Sequence, residues 1–563
     1  MNNPKPFFLP QRLFIGGATF ASINALLLPS TWQFGSNWEP FPEHLHDLID
    51  AISGQFINNP APWNEYKFFL TESQQWTDFI LHIGLPLTAA TVGAIVTQWL
   101  VLREPTGLQQ KQIEGSMHLD GLSAKRHAKK QLKKNLSKGL KKSLYLHKNI
   151  QIPIDREIDN LFISGIQGSG KSVIIKPYIK QIIAREDRIL IYDQKQEYTE
   201  LFFDQNKSIL LNPTDSRSTP WDIASDVTTD ELAELIAISW IQESREAFWS
   251  QGARLILIGI FVILNHLRRK SHWGWADLTK YLTLQSSELK KLLEVHYPRA
   301  AIYIEENSKT TQGFMTTLTS SLSWVFSVAK AWPDSKDGFS IKRWVHEDNQ
   351  KTTVIIPNDS LYRAISGPLC NALISLMTSH VLALPDDNSR RLWLALDELG
   401  NLPRSESLTS WLSLGRSKGA RTIAGTQAIS ILYDPELYGE HKATTILSMF
   451  GTRICLRTVD EAAIRASNFF GKQYVERPSS SVDELSRQGT NYQIFEVPLI
   501  SPNQISQLPT PNNNGVTGFL SVSGHNAVYE LTWKYPKIPC IAPPHVPAEW
   551  TKEKQHLKRG RKQ

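Results

Sequence analysis

The sequence predicts an α/β fold in which a parallel sheet, covered by helices on both faces, is interrupted by an all-helical insertion and preceded by two apolar helices. Three observations predict it. Short, wholly apolar runs recur between helical segments along residues 151–225 and 346–540, the pattern of strands buried on both faces. A glycine-rich loop follows one of these runs and opens a helix. Two uncharged stretches near the N-terminus, residues 13–32 and 79–102, approach the ~20 residues that a helix needs to cross a bilayer.

At 563 residues the chain is too long for a single core, which excludes a peptide hormone, a small binding module and a disulfide-stapled secreted domain. Hydrophobic residues are 41% and charged residues 20%, a globular balance. The three cysteines, Cys370, Cys455 and Cys540, have neither disulfide nor metal-ligand spacing, so most of the mass is expected in a reducing compartment. The net charge of +7 is unevenly placed: residues 103–150 carry +9, residues 551–563 carry +5, and the body from 151 to 550 sums to −3. Bulk charge therefore does not make the body a nucleic-acid binder.

Taken in order, the elements begin with a membrane anchor, residues 1–102. Trp32, Trp38, Trp76 and Trp99 lie near the ends of the two apolar stretches, where amphipathic rings favour the headgroup layer. Lys5 and Arg12 precede the first stretch and the +9 segment follows the second, so both termini are expected in the cytoplasm and the acidic loop 33–76 on the other side. A cleaved secretory signal is the competing reading of the first stretch, but no small-x-small site follows it. The basic juxtamembrane segment, 103–150, holds Lys125, Arg126, Lys129, Lys130, Lys133 and Lys134, which would bind anionic membrane lipid or, near a pore mouth, phosphates. Residues 541–563 read as a Pro-rich and then basic tail.

The strongest motif runs Gly165-Ile-Gln-Gly168-Ser169-Gly170-Lys171-Ser172, after the apolar run Leu161-Phe-Ile-Ser and before a helical pattern from Val173 to Ala184. It fits G-x4-G-K-[ST], in which glycines let backbone amides curl around phosphate oxygens and the helix end adds positive potential. Lys171 would reach the β and γ phosphates of ATP, and Ser172 would ligate Mg2+. Such a site also needs a strand-borne carboxylate and a group to orient water. Leu392-Trp-Leu-Ala-Leu-Asp397-Glu398 supplies both, with Asp397 as second Mg2+ ligand and Glu398 polarising the water. Further strands are expected at Arg188–Asp193, Ser208–Leu211, Thr352–Ile356, Arg421–Gly425 and Thr452–Leu456. Residues 226–345 read as helical throughout, with cap-like starts at Thr229 and Ser286, and the run Leu255–Leu264 is too short to span and reads as a core helix. The fold class is thus a RecA-like P-loop ATPase domain, 151–225 and 346–540, with an all-helical inserted domain and two transmembrane helices.

Together with Asp193-Gln-Lys195-Gln-Glu197, Leu211-Asn-Pro213-Thr-Asp215, Trp221, Phe248-Trp249, Leu414-Gly415-Arg416-Ser-Lys-Gly419 and Gly425-Thr-Gln427, these features resemble type IV coupling proteins of the TraD/TrwB kind over roughly residues 115–535. The resemblance implies a homo-hexameric ATPase of the bacterial inner membrane that links single-stranded DNA with its bound relaxase to a type IV secretion channel in conjugation. Gln427 then resembles the sensor of the γ phosphate, and Arg416 a trans-acting arginine finger. Asp193 to Glu197 departs from the commoner D-P-K-G-E pattern, and docking through the long acidic tail of some relatives is not expected. Two alternatives stay open at this point: a coupling ATPase for protein effectors, and a membrane-tethered DNA motor of chromosome or plasmid partition.

Overall fold

The computed structural model describes residues 9–32, 41–56, 59–102, 111–244, 246–267, 272–348, 350–358, 362–482 and 488–552. Readings that concern Lys5, Arg12, Trp32, Trp38, Trp99, residues 103–110 and the tail from 553 lie, wholly or in their side chains, outside the described residues. The chain divides into two units, residues 1–113 with 474–495, and residues 114–473 with 496–563.

In the first unit, the helix Leu9–Trp32 lies against a second apolar helix built from Trp76–Phe79, a π turn Ile80–Gly84 and Leu85–Leu102. The π turn stands just before Pro86, whose missing N–H and ring disturb the regular ladder. Only 11% and 22% of the apolar windows Phe14–Thr31 and Trp76–Thr97 are buried, whereas the equally apolar helices Ala247–Leu267 and Arg363–Leu382 are 67% and 78% buried. Length and composition alone would nominate all four as spans; burial assigns the latter two to the core. The acidic loop between the first two forms a helical pair, Phe41–Phe56 and Ala61–Glu72, closed by a small cluster of Leu48, Ala51, Tyr66, Leu70 and Ile83. A three-stranded sheet, in the order Lys111–Gly115, Lys472–Val482, Gln488–Pro498, accompanies these helices.

The second unit is organised by a ten-stranded sheet. Its strands are β1 (Met117–Leu119), β2 (Leu161–Ser164), β3 (Arg188–Asp193), β4 (Ser208–Leu210), β5 (Thr353–Pro357), β6 (Leu392–Leu396), β7 (Ala420–Thr426), β8 (Thr452–Leu456), β9 (Val516–Ser521) and β10 (Ala527–Trp533). Their spatial order is β1-β10-β9-β8-β2-β7-β6-β3-β5-β4. From β8 to β4 the neighbours are parallel, and β9 and β10 add an antiparallel edge. Every residue of β2, β5, β6 and β7 is buried, as a sheet covered on both faces requires. Alternate residues serve opposite cores: Leu190 and Tyr192 join one, Ile189 and Ile191 the other.

The insertion leaves the sheet after β4 and returns at β5, and its described residues from Ile223 to His346 are helices and their connections. Its centre is aromatic, with Trp240 and Trp324 rings 5.1 Å apart and Trp221 and Trp275 rings 5.5 Å apart. Thr229 accepts from the Leu232 amide at the start of its helix, as the sequence suggests. At Ser286 the expectation fails: Gln285 holds the cap position, and no side-chain bond forms there. Two boundaries also move. Residues 117–150 are not a segment apart, since they supply β1, the helix Gly121–Leu136 and the hairpin Lys142–His147/Ile150–Pro153. The start of the tail packs on the body, where the Ile541 amide donates to the Glu200 carbonyl at 2.9 Å and Trp550 Nε1 to the Pro213 carbonyl at 2.8 Å.

Asp226 closes the root of the insertion. Its buried carboxylate accepts from Trp221 Nε1 at 2.7 Å, Ser340 Oγ at 2.6 Å, and the amides of Ile341 and Lys342 at 2.9 and 3.0 Å. Replacing it by alanine strands all four donors out of water, so Asp226→Ala is expected to lower unfolding free energy by on the order of 3–5 kcal/mol. Urea denaturation of parent and variant checks this; a loss below about 1 kcal/mol would show that the donors find other partners.

Candidate nucleotide site

The site assembles at the carboxyl edge of the sheet because β2, β7, β6 and β3 are neighbours in register. Ser164 pairs with Thr426, Ala424 with Leu396, and Leu396 with Tyr192. The glycine loop, Gln427 and Asp397-Glu398, which follow their strands, and Asp193, which ends β3, therefore emerge side by side. This is the crevice in which open α/β sheets bind ligands.

The loop between β2 and the helix Lys171–Ala184 turns through Gly170, whose φ of +95° and close approach to the Val516 side chain leave room for glycine alone. No side chain caps this helix; the Val173 amide donates to the Gly170 carbonyl at 3.0 Å, and helix geometry gives the amides of Lys171 and Ser172 no intrahelical partner. The Ser169 hydroxyl is buried and has no partner among the described residues. Gln167 and Gly168 form an exposed crown, while Lys171 Nζ donates back to the Gly165 carbonyl at 2.8 Å. Unsatisfied donors converging on an open cradle fit a phosphate chain.

Asp397 and Glu398 are both buried, each with one oxygen engaged. Tyr198 donates its hydroxyl to Asp397 Oδ1 at 2.9 Å. Glu398 Oε1 accepts from Thr426 Oγ1 and the Gln427 amide, both at 3.0 Å. Burial pushes both carboxyls above their ordinary range, and the Tyr198 hydroxyl on one and the Gln427 amide on the other pull them back. Burial also pushes the Lys171 ammonium down, opposed by the charges of Glu398 and then Asp397. Lys195 belongs to the same field, favouring the ionised Asp397 and disfavouring the charged Lys171. Ser172, half-buried at the head of the helix, and Asp397 offer a hydroxyl and a carboxylate. Among the described residues no cluster of His, Cys, Asp or Glu could hold a metal alone, and hydroxyl plus carboxylate is the hard-oxygen set with which Mg2+ is held jointly with phosphates and water.

The structure thus brings Gly165, Gly168, Ser169, Gly170, Lys171, Ser172, Asp397, Glu398 and Gln427 to one edge. Arg416 is not among them. It lies in the turn Gly415–Lys418 before β7, at the opposite edge, with Nη2 3.0 Å from Asp159 Oδ1. The seven residues of β7 separate it from Gln427 by about 20 Å. Sequence reasoning missed Tyr198 and Thr426, which aim the two carboxylates. Their signal was slight: a tyrosine five residues beyond a strand-ending aspartate, and a threonine at the end of another strand.

Asp193 anchors the loop that carries Lys195 and Tyr198. Its fully buried Oδ2 accepts from the Tyr198 amide at 3.0 Å, the Thr199 amide at 2.8 Å and Thr199 Oγ1 at 3.0 Å. Burial pushes its carboxyl up from 3.8 to about 7, against the pull of the Thr199 amide and hydroxyl. A raised folded-state value means that the stability Asp193 contributes is fully present below about pH 4 and is lost as pH rises through about 7. Asp193→Asn, which cannot ionise, is expected to melt close to the parent at about pH 5 and above it at about pH 8. Parallel melting curves across that range would contradict the assignment.

Comparison with known proteins places these features. A family model described as the type IV secretion-system coupling protein DNA-binding domain matches residues 144–530. Coupling protein TraD of Escherichia coli (strain K12) is 24% identical over 561 residues, covering 94% of this chain and 75% of TraD. The structure of the bacterial conjugative coupling protein TrwBdeltaN70 in an unbound monoclinic form superposes with a TM-score of 0.66 at 23% identity, covering 78% of this chain and 97% of that one. The plasmid coupling protein TrwB in complex with ADP and Mg2+ gives 0.64 at 23% identity, covering 78% and 98%. At such identity these structures establish the shared fold, and the family model spans more than half of the sequence. The chain belongs to the type IV secretion-system coupling protein DNA-binding domain family.

Proposed function

We propose that this protein is the ATP-hydrolysing coupling protein of a conjugative type IV secretion system, which recruits relaxase-bound DNA to the channel and drives its transfer. The observation that carries the proposal is the meeting of Lys171, Ser172, Asp397, Glu398 and Gln427 at one edge of the sheet, in a chain of this family. The ADP and Mg2+ complex of TrwB supports the same nucleotide and metal here. The loop amides and the Lys171 ammonium would hold the β and γ phosphate oxygens, while Ser172 and Asp397 would hold Mg2+. When bound, the metal neutralises phosphate charge. Glu398, held by Thr426 and the Gln427 amide, would orient the attacking water and take its proton, and the Gln427 side chain would report the γ phosphate to β7.

Arg416 cannot reach the site of its own chain from the far edge of the sheet. Its role as an arginine finger therefore requires a neighbouring subunit, which the homo-hexamer of the resemblance supplies. The exposed apolar helices Leu9–Trp32 and Leu85–Leu102 support anchoring in the inner membrane by two spans, and the basic residues before the first and after the second would put both termini in the cytoplasm.

Lys171→Ala and Glu398→Gln are each expected to abolish turnover and to differ in binding. The first removes a phosphate contact and weakens ATP affinity, whereas the second leaves the cradle intact and retains bound ATP. Equilibrium binding of a fluorescent ATP analogue distinguishes them, and equal losses of affinity would contradict the roles. ATP turnover of the full chain should be stimulated by single-stranded DNA at low salt and lose that stimulation as salt rises, because phosphate contacts release counterions. Because the body sums to −3, few contacts per subunit are expected, and stimulation should grow as subunits assemble. Rings that turn over ATP without responding to DNA at low salt would replace DNA with protein effectors as the cargo.

A further inference from the structure

The helix Gly121–Leu136 carries its charge on one face. Ala124 and Ala128 are buried on the inner face, where His127 Nδ1 lies 3.0 Å from the Tyr529 hydroxyl. Lys125, Arg126, Lys129, Lys130, Lys133 and Lys134 are all exposed and fall at i, i+1, i+4, i+5, i+8 and i+9, two adjacent rows along the outer face. No aspartate or glutamate interrupts the sixteen residues. Like charges at i, i+4 repel one another, so this face is relieved by contact with an extended negative surface. Lys138, Lys141, Lys142 and Lys148, also exposed, continue the positive charge beyond the helix.

We propose that this face docks on the anionic phospholipid headgroups of the leaflet that the chain spans. The proposal rests on the reading that the helix ending at Leu102 crosses the bilayer. Three observations choose lipid over nucleic acid. Eighteen residues separate Leu102 from Gly121, a tether that cannot exceed ~60 Å, so the basic helix stays within reach of the membrane surface. Five of the six cations are lysines, hydrated point charges suited to mobile headgroups, whereas reading bases or fixed phosphates favours the planar fork of arginine. Leu122, at the first turn, is 67% exposed, an apolar side chain placed to enter the headgroup layer beside the charges.

The test uses the full chain in nanodiscs of zwitterionic lipid alone, or of zwitterionic lipid with about a third anionic lipid. An environment-sensitive dye is attached through Lys130→Cys in a Cys540→Ser background. Lipid-borne quenchers should quench the dye in anionic discs, not in zwitterionic ones, and quenching should fall at high salt. The combined Lys129→Gln, Lys133→Gln and Lys134→Gln variant should lose it, each neutralised lysine weakening contact by about fivefold, with ATP binding unchanged. Equal quenching in both lipids, or none in either, overturns the proposal. So does a dye that responds to added DNA and not to anionic lipid, which would make the face a nucleic-acid surface. Entry into discs reports the spans separately. A chain that fails to enter them refutes the spanning reading, and flotation of that chain with anionic or zwitterionic vesicles then decides the helix, with equal flotation counting against it.

Discussion

Lys171 stands partly withdrawn from water at the head of its helix, and an ammonium is tolerated there because Asp397 and Glu398 bring negative charge to the same edge of the sheet. The two carboxylates face the converse cost, since burial pushes both toward protonation and Lys171 favours their ionised forms. Each side of this balance is stranded if the other moves. That is why the register of β2, β7, β6 and β3 matters: a slip of one residue in β6 would turn the strand over and carry both acids away from the loop. Tyr198 and Thr426 bind one oxygen of each acid, which fixes its direction and leaves the second oxygen for chemistry.

The amino edge of the same strands is held by charge of another kind. Glu157 receives Arg185 Nη1 at 2.6 Å and Arg421 Nε at 3.1 Å, and Asp187 receives Trp393 Nε1 at 3.0 Å. Arg421 and Glu157 are almost wholly buried, so here the ion pairs are satisfied within the protein. They join the starts of β3, β6 and β7 to the turn before β2. One edge is thus closed by buried ion pairs between its own residues, while the other leaves its carboxylates and loop donors partly unpaired. A sheet locked at its base can hold unsatisfied donors and acceptors at its top without the strands sliding to satisfy them.

Much of this was legible in the sequence, for reasons that differ by element. The strands showed because a sheet buried on both faces admits wholly apolar runs, and the runs at Arg188, Thr452 and Leu392 fall where strands form. Gly165 to Ser172 showed because few residue types permit that loop. What stayed hidden was placement across the sheet. Nothing in the linear order of Asp193, Asp397 and Gln427 states that their strands are neighbours. Tyr198 could not be matched to Asp397, 199 residues away, without the strand order. Residues 117–150 misled for a related reason: their charge drew attention, while Ala124, Ala128 and the short β1, which tie them to the sheet, carry little signal. The run Leu255–Leu264 read as core, and it is, although the whole helix Ala247–Leu267 is long and apolar enough to pass for a span, because composition does not say what covers a helix.

Placement also bears on how the inserted helices can act on the site. They leave after β4 and return at β5, the two strands at the edge of the sheet farthest from β1, so they add mass without interrupting the register of β2, β7 and β6. Asp226 receives Trp221 from the outgoing chain and Ser340, Ile341 and Lys342 from the returning one. The root is held by this buried carboxylate, because bending there would strand those donors, and the inserted helices share one hydrophobic core with Leu369, Leu373 and Leu394 of the body. The chain enters and leaves this root at β4 and β5, and β5 lies beside β3, whose terminal Asp193 anchors the loop that carries Tyr198. The path from the inserted helices to the Asp397 carboxylate is backbone pairing as far as β3, and from there two side-chain hydrogen bonds complete it, the Tyr198 amide to Asp193 and the Tyr198 hydroxyl to Asp397, so a displacement at β5 reaches the nucleotide edge only while both bonds hold.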